Sequence, residues 1–376
     1  MKSKLIHSIV TVAILALAFP SCRGDIEWEH GQPLPKRQVK VAVIHSNHVD
    51  AYSLFDIAHY MGISGMKKSL NLQDSQIIHK VDVHDADLVA VEMAMRDSIA
   101  AGANIIIATS WGHKEVGEKL ALEYPSVVFA NLNGFRHNER NLTSYALRFY
   151  QARYLAGIVA GMKTQTGKIG FVAAMGTANS YVTGGINAFA RGVAGVNPEA
   201  RVYVWVTHSW FDPMGENYAA QALIAYGCDV IAQHTNTIEP QMAAQRAGVW
   251  SIGSHLDMSQ FAPDAVITSV VPRWGTLYTR LVRSVIDGTF RTTPRFYGIA
   301  DGMVDITPIN ERLAVPEIEA AVQAARQRII DGSISVFHGI LETNDGSFIG
   351  EEGKTLSDEV IRNSIDWYYR NVVVMR

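Results

Sequence analysis

From residue 38 onward the chain alternates short, almost wholly apolar runs with longer amphipathic ones, and few folds accept that rhythm. The run Val39-Lys40-Val41-Ala42-Val43-Ile44 sets the type, rich in β-branched residues and apolar on both faces. Similar runs recur at 104–108, 126–130, 168–172, 201–206, 229–232, 250–253 and 266–271. A strand that is apolar on both faces must be covered on both, which means a parallel sheet flanked by helices. Between the runs, residues 84–101 place Leu88, Val91, Met95 and Ile99 on one helical face, with Gly102 as a stop. Segments 146–163, 182–194, 214–226 and 274–287 read as helices in the same way. Alternating strand and helix defines an α/β fold. Because the pattern restarts near residue 168, two Rossmann-like lobes facing each other across a cleft are expected.

The first 22 residues stand apart. Lys2 and Lys4 precede an apolar stretch from Ile9 to Phe19, and Pro20-Ser21-Cys22 closes it. That stretch is too short to cross a bilayer as a helix and reads as a targeting segment. A cysteine directly after a small residue is similar to a bacterial lipoprotein cleavage site, with Cys22 as the lipid attachment point; ordinary secretory cleavage is the alternative. Residues 23–37 are expected to form a tether, and the mature protein to work in the periplasm or at the cell surface. The other cysteine, Cys228, reads as a buried thiol at the start of a strand, so a disulfide framework and cysteine-rich metal sites are excluded. Lys and Arg number 33 against 36 Asp and Glu, with no block of like charge, so nucleic acid is not the expected partner.

In open α/β sheets the ligand sits beyond the carboxyl ends of the strands, so the segments after each run are the place to look. They carry aromatic and hydrogen-bonding groups: Trp111-Gly112-His113, Trp210-Phe211, Asn236-Thr237, His255 with Asp257, and Trp274. The 45–60 segment adds Tyr52, Phe55, His59 and Tyr60. Rings that stack on a flat ligand and amides that read its edge suit a planar, polar-rimmed molecule. No Gly-x-Ser-x-Gly elbow, Walker lysine loop or dinucleotide fingerprint occurs, and His45, His48 and His59 lack partners at metal-ligand spacing. An enzyme is therefore not expected, nor a cofactor or a metal ion.

Ordered motifs extend this reading. They are Arg153-Tyr154-Leu155-Ala156-Gly157, then Gly167-Lys168-Ile169-Gly170-Phe171-Val172, and Gly184-Gly185-Ile186-Asn187-Ala188-Phe189. Val196-Asn197-Pro198-Glu199-Ala200, Gln233-His234, Ala262-Pro263-Asp264, Thr268-Ser269-Val270-Val271 and the tail Asn344-Asp345-Gly346 with Asp366-Trp367-Tyr368 follow. Together they make the chain resemble, from about residue 38 to its end, the basic membrane protein family, the purine nucleoside-binding lipoproteins of ABC importers. The resemblance implies a periplasmic-binding-protein type I-like fold, with a ligand cleft between two lobes joined by three crossings and a purine held there. It puts the stacking aromatic of the second lobe at Trp210, and a second ring at Tyr52, Phe55 or Tyr60. It also implies permease and ATPase subunits as partners, and a membrane contact through the N-terminal lipid.

The chain departs from the family's nucleoside binders at two places. His255 stands where they carry an aspartate for ribose hydroxyls, and Pro272 where they carry a lysine. The Ser209-Trp210-Phe211-Asp212-Pro213 element looks like a subgroup associated with free adenine-type bases. A nucleobase is therefore expected before a nucleoside; a sugar-binding relative and a ligand-sensing receptor module are the rival readings. Asn236 and Thr237 are expected to read ring edges, and Trp274 to wall the hinge side. The N-terminal lobe is expected to comprise 38–145 with 254–271, and the C-terminal lobe 146–253 with 272–376.

Overall fold

The computed structural model describes residues 28–49, 53–313 and 316–375. Its elements run β1 (Val41–Ile44), α1 (Leu54–Leu70), β2 (Ile77–Lys80), α2 (Leu88–Ala100), β3 (Ile105–Ala108), α3 (Lys114–Glu123), β4 (Val128–Leu132) and β5 (Leu142–Leu147). The chain continues with α4 (Phe149–Lys163), β6 (Lys168–Ala173), α5 (Ser180–Val196), β7 (Arg201–Val206), α6 (Pro213–Ala225), β8 (Val230–His234), α7 (Glu239–Ala247), β9 (Trp250–Ser254) and β10 (Val266–Pro272). After these come α8 (Trp274–Ile286), β11 (Arg295–Tyr297), β12 (Val304–Ile306) and α9 (Pro316–Ile330). A small hairpin of β13 (Leu341–Glu342) and β14 (Phe348–Ile349), then α10 (Asp358–Asn363) and β15 (Val372–Val374), complete it.

The strands form two principal sheets, ordered β11-β5-β4-β3-β1-β2 and β12-β10-β9-β8-β6-β7-β15. Pairing is parallel throughout both, except that β12 runs antiparallel to β10. Leaving out the added edge strands, both sheets repeat one order, second-first-third-fourth-fifth. This is the doubly wound arrangement expected from the apolar runs. Each sheet reverses its strand order once, between β1 and β3 and between β6 and β8, and a ligand crevice opens at such a reversal.

Lobe membership differs from the sequence expectation. Segment 254–271 belongs with the second lobe, because β10 pairs with β9. Helix α8 returns to pack on α1, and β11 extends the first sheet beside β5. The chain thus passes between the sheets after β5, after β10 and again between β11 and β12, giving the three crossings. The expected tether also differs. Trp28 is buried with its ring edge-on to Phe290 at 5.9 Å, and its Nε1 donates to the Gln32 carbonyl. Leu34 N donates to Val285 O, so residues 28–37 are docked on the first lobe. Cys22 and Tyr52 lie outside the described residues.

Helices α4 and α5 cross at unusually close range. A Cβ on Gly157 would strike the carbonyl oxygen of Phe189, and one on Gly192 the carbonyl oxygen of Tyr154. Each glycine is the seat for the other helix's backbone. Gly157→Ala is therefore expected to destabilise the protein by about 1–3 kcal/mol through overpacking, although alanine is the better helix former by about 1 kcal/mol. Urea unfolding would check this, and an unchanged or raised midpoint would contradict the close seating.

Candidate ligand-binding site

The second lobe presents rings at the ends of its strands. Trp210 follows β7; its carbonyl accepts a 3.0 Å bond from Asn236 N, and its ring meets His234 edge-on at 5.6 Å. His234 closes β8 and lies near-parallel to Phe149, with centroids 6.2 Å apart. His255 follows β9 with φ of 70°, a left-handed residue that turns the chain sharply away from the strand. Its ring lies 5.8 Å from Phe149 and 6.0 Å from His234. The 235–237 segment is pinned from behind by Glu216, whose buried carboxylate accepts from Thr237 Oγ1 at 2.6 Å and Thr237 N at 3.2 Å. Burial pushes that carboxyl above its ordinary range, and the threonine bonds pull against the shift.

The first lobe meets these rings with α1. Phe55 stands edge-on to His59 at 4.5 Å and to His255 of the other lobe at 5.8 Å. Leu54 N donates to Asn236 O at 2.9 Å, so the start of α1 is bonded across the cleft. Asp56 fixes this start by accepting from Asn47 Nδ2 and Ser53 Oγ, each at 2.8 Å. His59 is sandwiched against Trp274 at 4.2 Å, and its Nδ1 is hydrogen-bonded to the Tyr278 hydroxyl. Burial holds that hydroxyl in its protonated form and the His59 imidazole in its neutral form.

Several polar atoms buried here find no partner among the described residues: Ser46 Oγ, His59 Nε2, His234 Nδ1, Asn236 Oδ1 and His255 Nε2. A buried polar atom without a partner costs roughly 1–3 kcal/mol, so their concentration at facing strand ends marks a place built for a ligand. Burial depresses every imidazole in the set. His45 and His255 are held down to about 3, and His59 and His234 lie well below the usual histidine range. The cleft is thus lined by neutral rings that can both donate and accept. Among the described residues no group of three or more His, Cys, Asp or Glu is arranged to hold a metal ion.

The structure brings together only part of the expected set. Trp210, Phe55, Asn236 and His255 lie where the lobes meet, with Phe55, His59 and Tyr60 on helix α1 instead of in a loop, whereas Thr237 spends its hydroxyl on Glu216 of its own lobe. Trp111 is 58% exposed, because the 3-10 turn Trp111–His113 swings its ring out under the Lys114 ammonium, 3.3 Å from the centroid. Gly112 backs onto Asp85, and buried His113 is bonded through Nε2 to Val83 O. Those residues brace the 81–87 loop. Trp274 is buried within the first lobe against His59, Tyr278 and Tyr145, so it backs His59 and does not wall the crevice. Phe211 is exposed, exposed Asp257 caps a 3-10 turn by accepting from Ser259 N at 3.0 Å, and Tyr60 lies half-exposed on His79. Phe149 is a participant that the sequence reading passed over, and His234 and Arg153 were seen there only as parts of motifs, with no role in the site. A further signal for Arg153 is its lone charge inside the apolar stretch 149–162. Cys228 is buried as expected, and its thiol is pushed up to about 12. A groove of about 700 Å3 between α1 and α8, lined by Gly65, Gly275, Arg280 and Asp287 among others, includes none of these rings or unpartnered atoms.

Two facing α/β lobes with a ring-lined crevice at their strand reversals define a solute-binding protein. The match is specific: residues 38–337 fit the family model of the Bmp, PnrA-like substrate-binding proteins of ABC transporters, and the chain belongs to that family. The family consists of extracytoplasmic binding proteins, not enzymes. A purine-binding protein of Brucella abortus (strain 2308) is 32% identical over 270 residues, covering 72% of this chain and 76% of the relative. A putative ABC transporter glucose-binding protein of Haloferax volcanii is 29% identical over 338 residues, covering 90% and 82%. Among solved structures, a solute-binding protein of an ABC transporter system from Conexibacter woesei superposes with a TM-score of 0.66 at 21% identity, covering 79% of this chain and 98% of that one.

The neutral imidazoles make stability depend on pH with a definite sign. Their folded pKa values lie below the unfolded value of about 6.5, so the stabilisation is complete above that pH. It is lost as pH falls toward the folded values, near 3 for His45 and His255, because only the unfolded chain takes up the protons. Each such histidine costs roughly 1.4 kcal/mol per pH unit inside that window. The melting temperature is expected to be flat from pH 8 to 7 and to fall steadily below 6.5. A flat profile down to pH 5 would show that these rings are not held neutral.

Proposed function

We propose that this protein captures a purine nucleobase, adenine-like in its edge pattern, outside the cytoplasmic membrane and delivers it to the permease and ATPase of an ABC importer. The supporting observation is the pairing of rings with unpartnered polar atoms on both sides of one crevice. Trp210, His234, His255 and Phe149 come from one lobe, and Phe55 and His59 from the other. A flat heterocycle fits between rings, and its alternating donors and acceptors match amides and neutral imidazoles. The purine-binding Brucella relative points the same way.

A free base is preferred to a nucleoside because ribose hydroxyls are best held by carboxylates. His255 is neutral, and the adjacent Asp257 is turned to solvent as a cap. Closure follows by population shift: a ligand touching both lobes stabilises the form in which Leu54 N reaches Asn236 O. The pattern of residues 1–22 supports a lipid anchor on Cys22.

Calorimetry with adenine, adenosine and glucose tests the ligand class. Adenine is expected to bind most tightly, and Trp210→Ala to weaken it by about 1–3 kcal/mol through lost stacking. Glucose binding without purine binding, or an indifferent Trp210→Ala, would overturn the assignment. For the anchor, Cys22→Ser is expected to move the protein from the membrane fraction to the soluble one. Continued membrane association of that variant would count against acylation there.

A further inference from the structure

Arg153 is wholly buried on α4 and has no carboxylate partner among the described residues. Its Nη1 donates to Gln233 O at 2.5 Å and its Nη2 to Ser254 Oγ at 2.9 Å. These two residues immediately precede His234 and His255, the imidazoles that face the crevice from adjacent strands.

The local pairing explains why an arginine is there. The ladder between β8 and β9 ends at Ala232 with Ile252. Beyond it β8 stays with β6, pairing Gln233 with Val172 and His234 with Ala173, while β9 stays with β10, pairing Ser254 with Val270. The two strand ends therefore part where their histidines begin. The guanidinium spans that parting with one arm to each strand, braced between the Phe149 and Phe171 rings at 5.5 and 5.6 Å. A planar fork suits this span better than any other cationic side chain.

We propose that Arg153 is a positioning residue for the ligand site: it ties the two parting strand ends together, fixes the separation of the His234 and His255 rings and sets its own charge behind both, so that the crevice selects a neutral heterocycle. This rests on the reading of the crevice as the ligand site. The charge environment is consistent with it. Phe149, Tyr181, Trp210 and His255 face His234; Phe55, Phe149 and His234 face His255, with neutral His59 beyond. After burial itself, the guanidinium is the influence that disfavours protonation of both rings. Burial holds Arg153 down to about 9, still a cation at neutral pH. A buried cation without a counter-ion is costly and is retained where it organises its surroundings.

Arg153→Met keeps the apolar stem and removes the fork and the charge, whereas Ser254→Ala keeps the cation and removes one anchor. The readouts are adenine affinity at pH 7.5 and 5.5, and the imidazole 15N spectra of His234 and His255 over the same range. In the unsubstituted protein, adenine affinity is expected to be equal at both pH values and both rings neutral. Arg153→Met is expected to bind about tenfold more weakly at pH 7.5, to lose more at pH 5.5, and to show at least one ring taking up a proton. Ser254→Ala is expected to bind several-fold more weakly with no pH dependence. Wild-type affinity and neutral rings in Arg153→Met would overturn the proposal. If that variant does not fold, unchanged affinity and unchanged ring spectra in Ser254→Ala would do so. If the unsubstituted protein does not bind adenine, the ligand reading fails, and the ring spectra still decide the role of Arg153.

Discussion

A strand buried on both faces has nowhere to carry chemistry except at its ends, and that constraint governs this molecule. Both sheets are built from strands such as Val41–Ile44 and Ile105–Ala108, whose residues are sealed from solvent along their whole length. Polar groups are therefore expelled to the carboxyl edges, where the parallel arrangement collects them on one side of each sheet. Because the chain crosses between the sheets three times, those edges face one another. The crevice follows from parallel topology and the crossings, and the identity of the residues then decides what it can hold.

What those residues supply is unusual in being both polar and uncharged. Imidazoles, amides and hydroxyls at the strand ends are desolvated to the point where His234, His255 and His59 stay neutral. The carboxylates nearby are occupied elsewhere: Asp56 with Asn47 and Ser53, Glu216 with Thr237. Such a lining favours ligands whose hydrogen-bonding groups lie in the plane of a ring, and with the Arg153 guanidinium behind it disfavours cations.

The fold was largely legible because long apolar runs are hard to mistake. Strands that escaped the reading are those where that signal fails. β2 ends in His79 and Lys80 at a sheet edge, β5 is interrupted by the adjacent Thr143 and Ser144, and β11 and β12 have three residues each. The lobe boundary was misplaced because nothing in the order of the runs reveals that the return crossing falls after β10. Among the aromatic residues, sequence located Trp111, Trp210 and Trp274 just past strands but could not give the direction of their rings. A 3-10 turn sends Trp111 outward, the pairing of α8 with α1 draws Trp274 into one lobe, and the bond from Asn236 N keeps Trp210 at the crevice. Phe149 opens α4 just past β5, a strand the sequence reading missed, and Arg153 lies one turn further into that helix.

The mutual seating of Gly157 and Gly192 has a mechanical side. Backbone pressed against backbone leaves α4 and α5 no room to slide, and closely packed interiors transmit displacement instead of absorbing it. Helix α4 bears Phe149 and Arg153, and α5 bears Tyr181, so these three reach the crevice from one stiff bracket bolted to the second sheet. Any opening of the molecule must then carry that half of the crevice as a unit, and the yielding has to be confined to the three strands of chain that pass between the lobes.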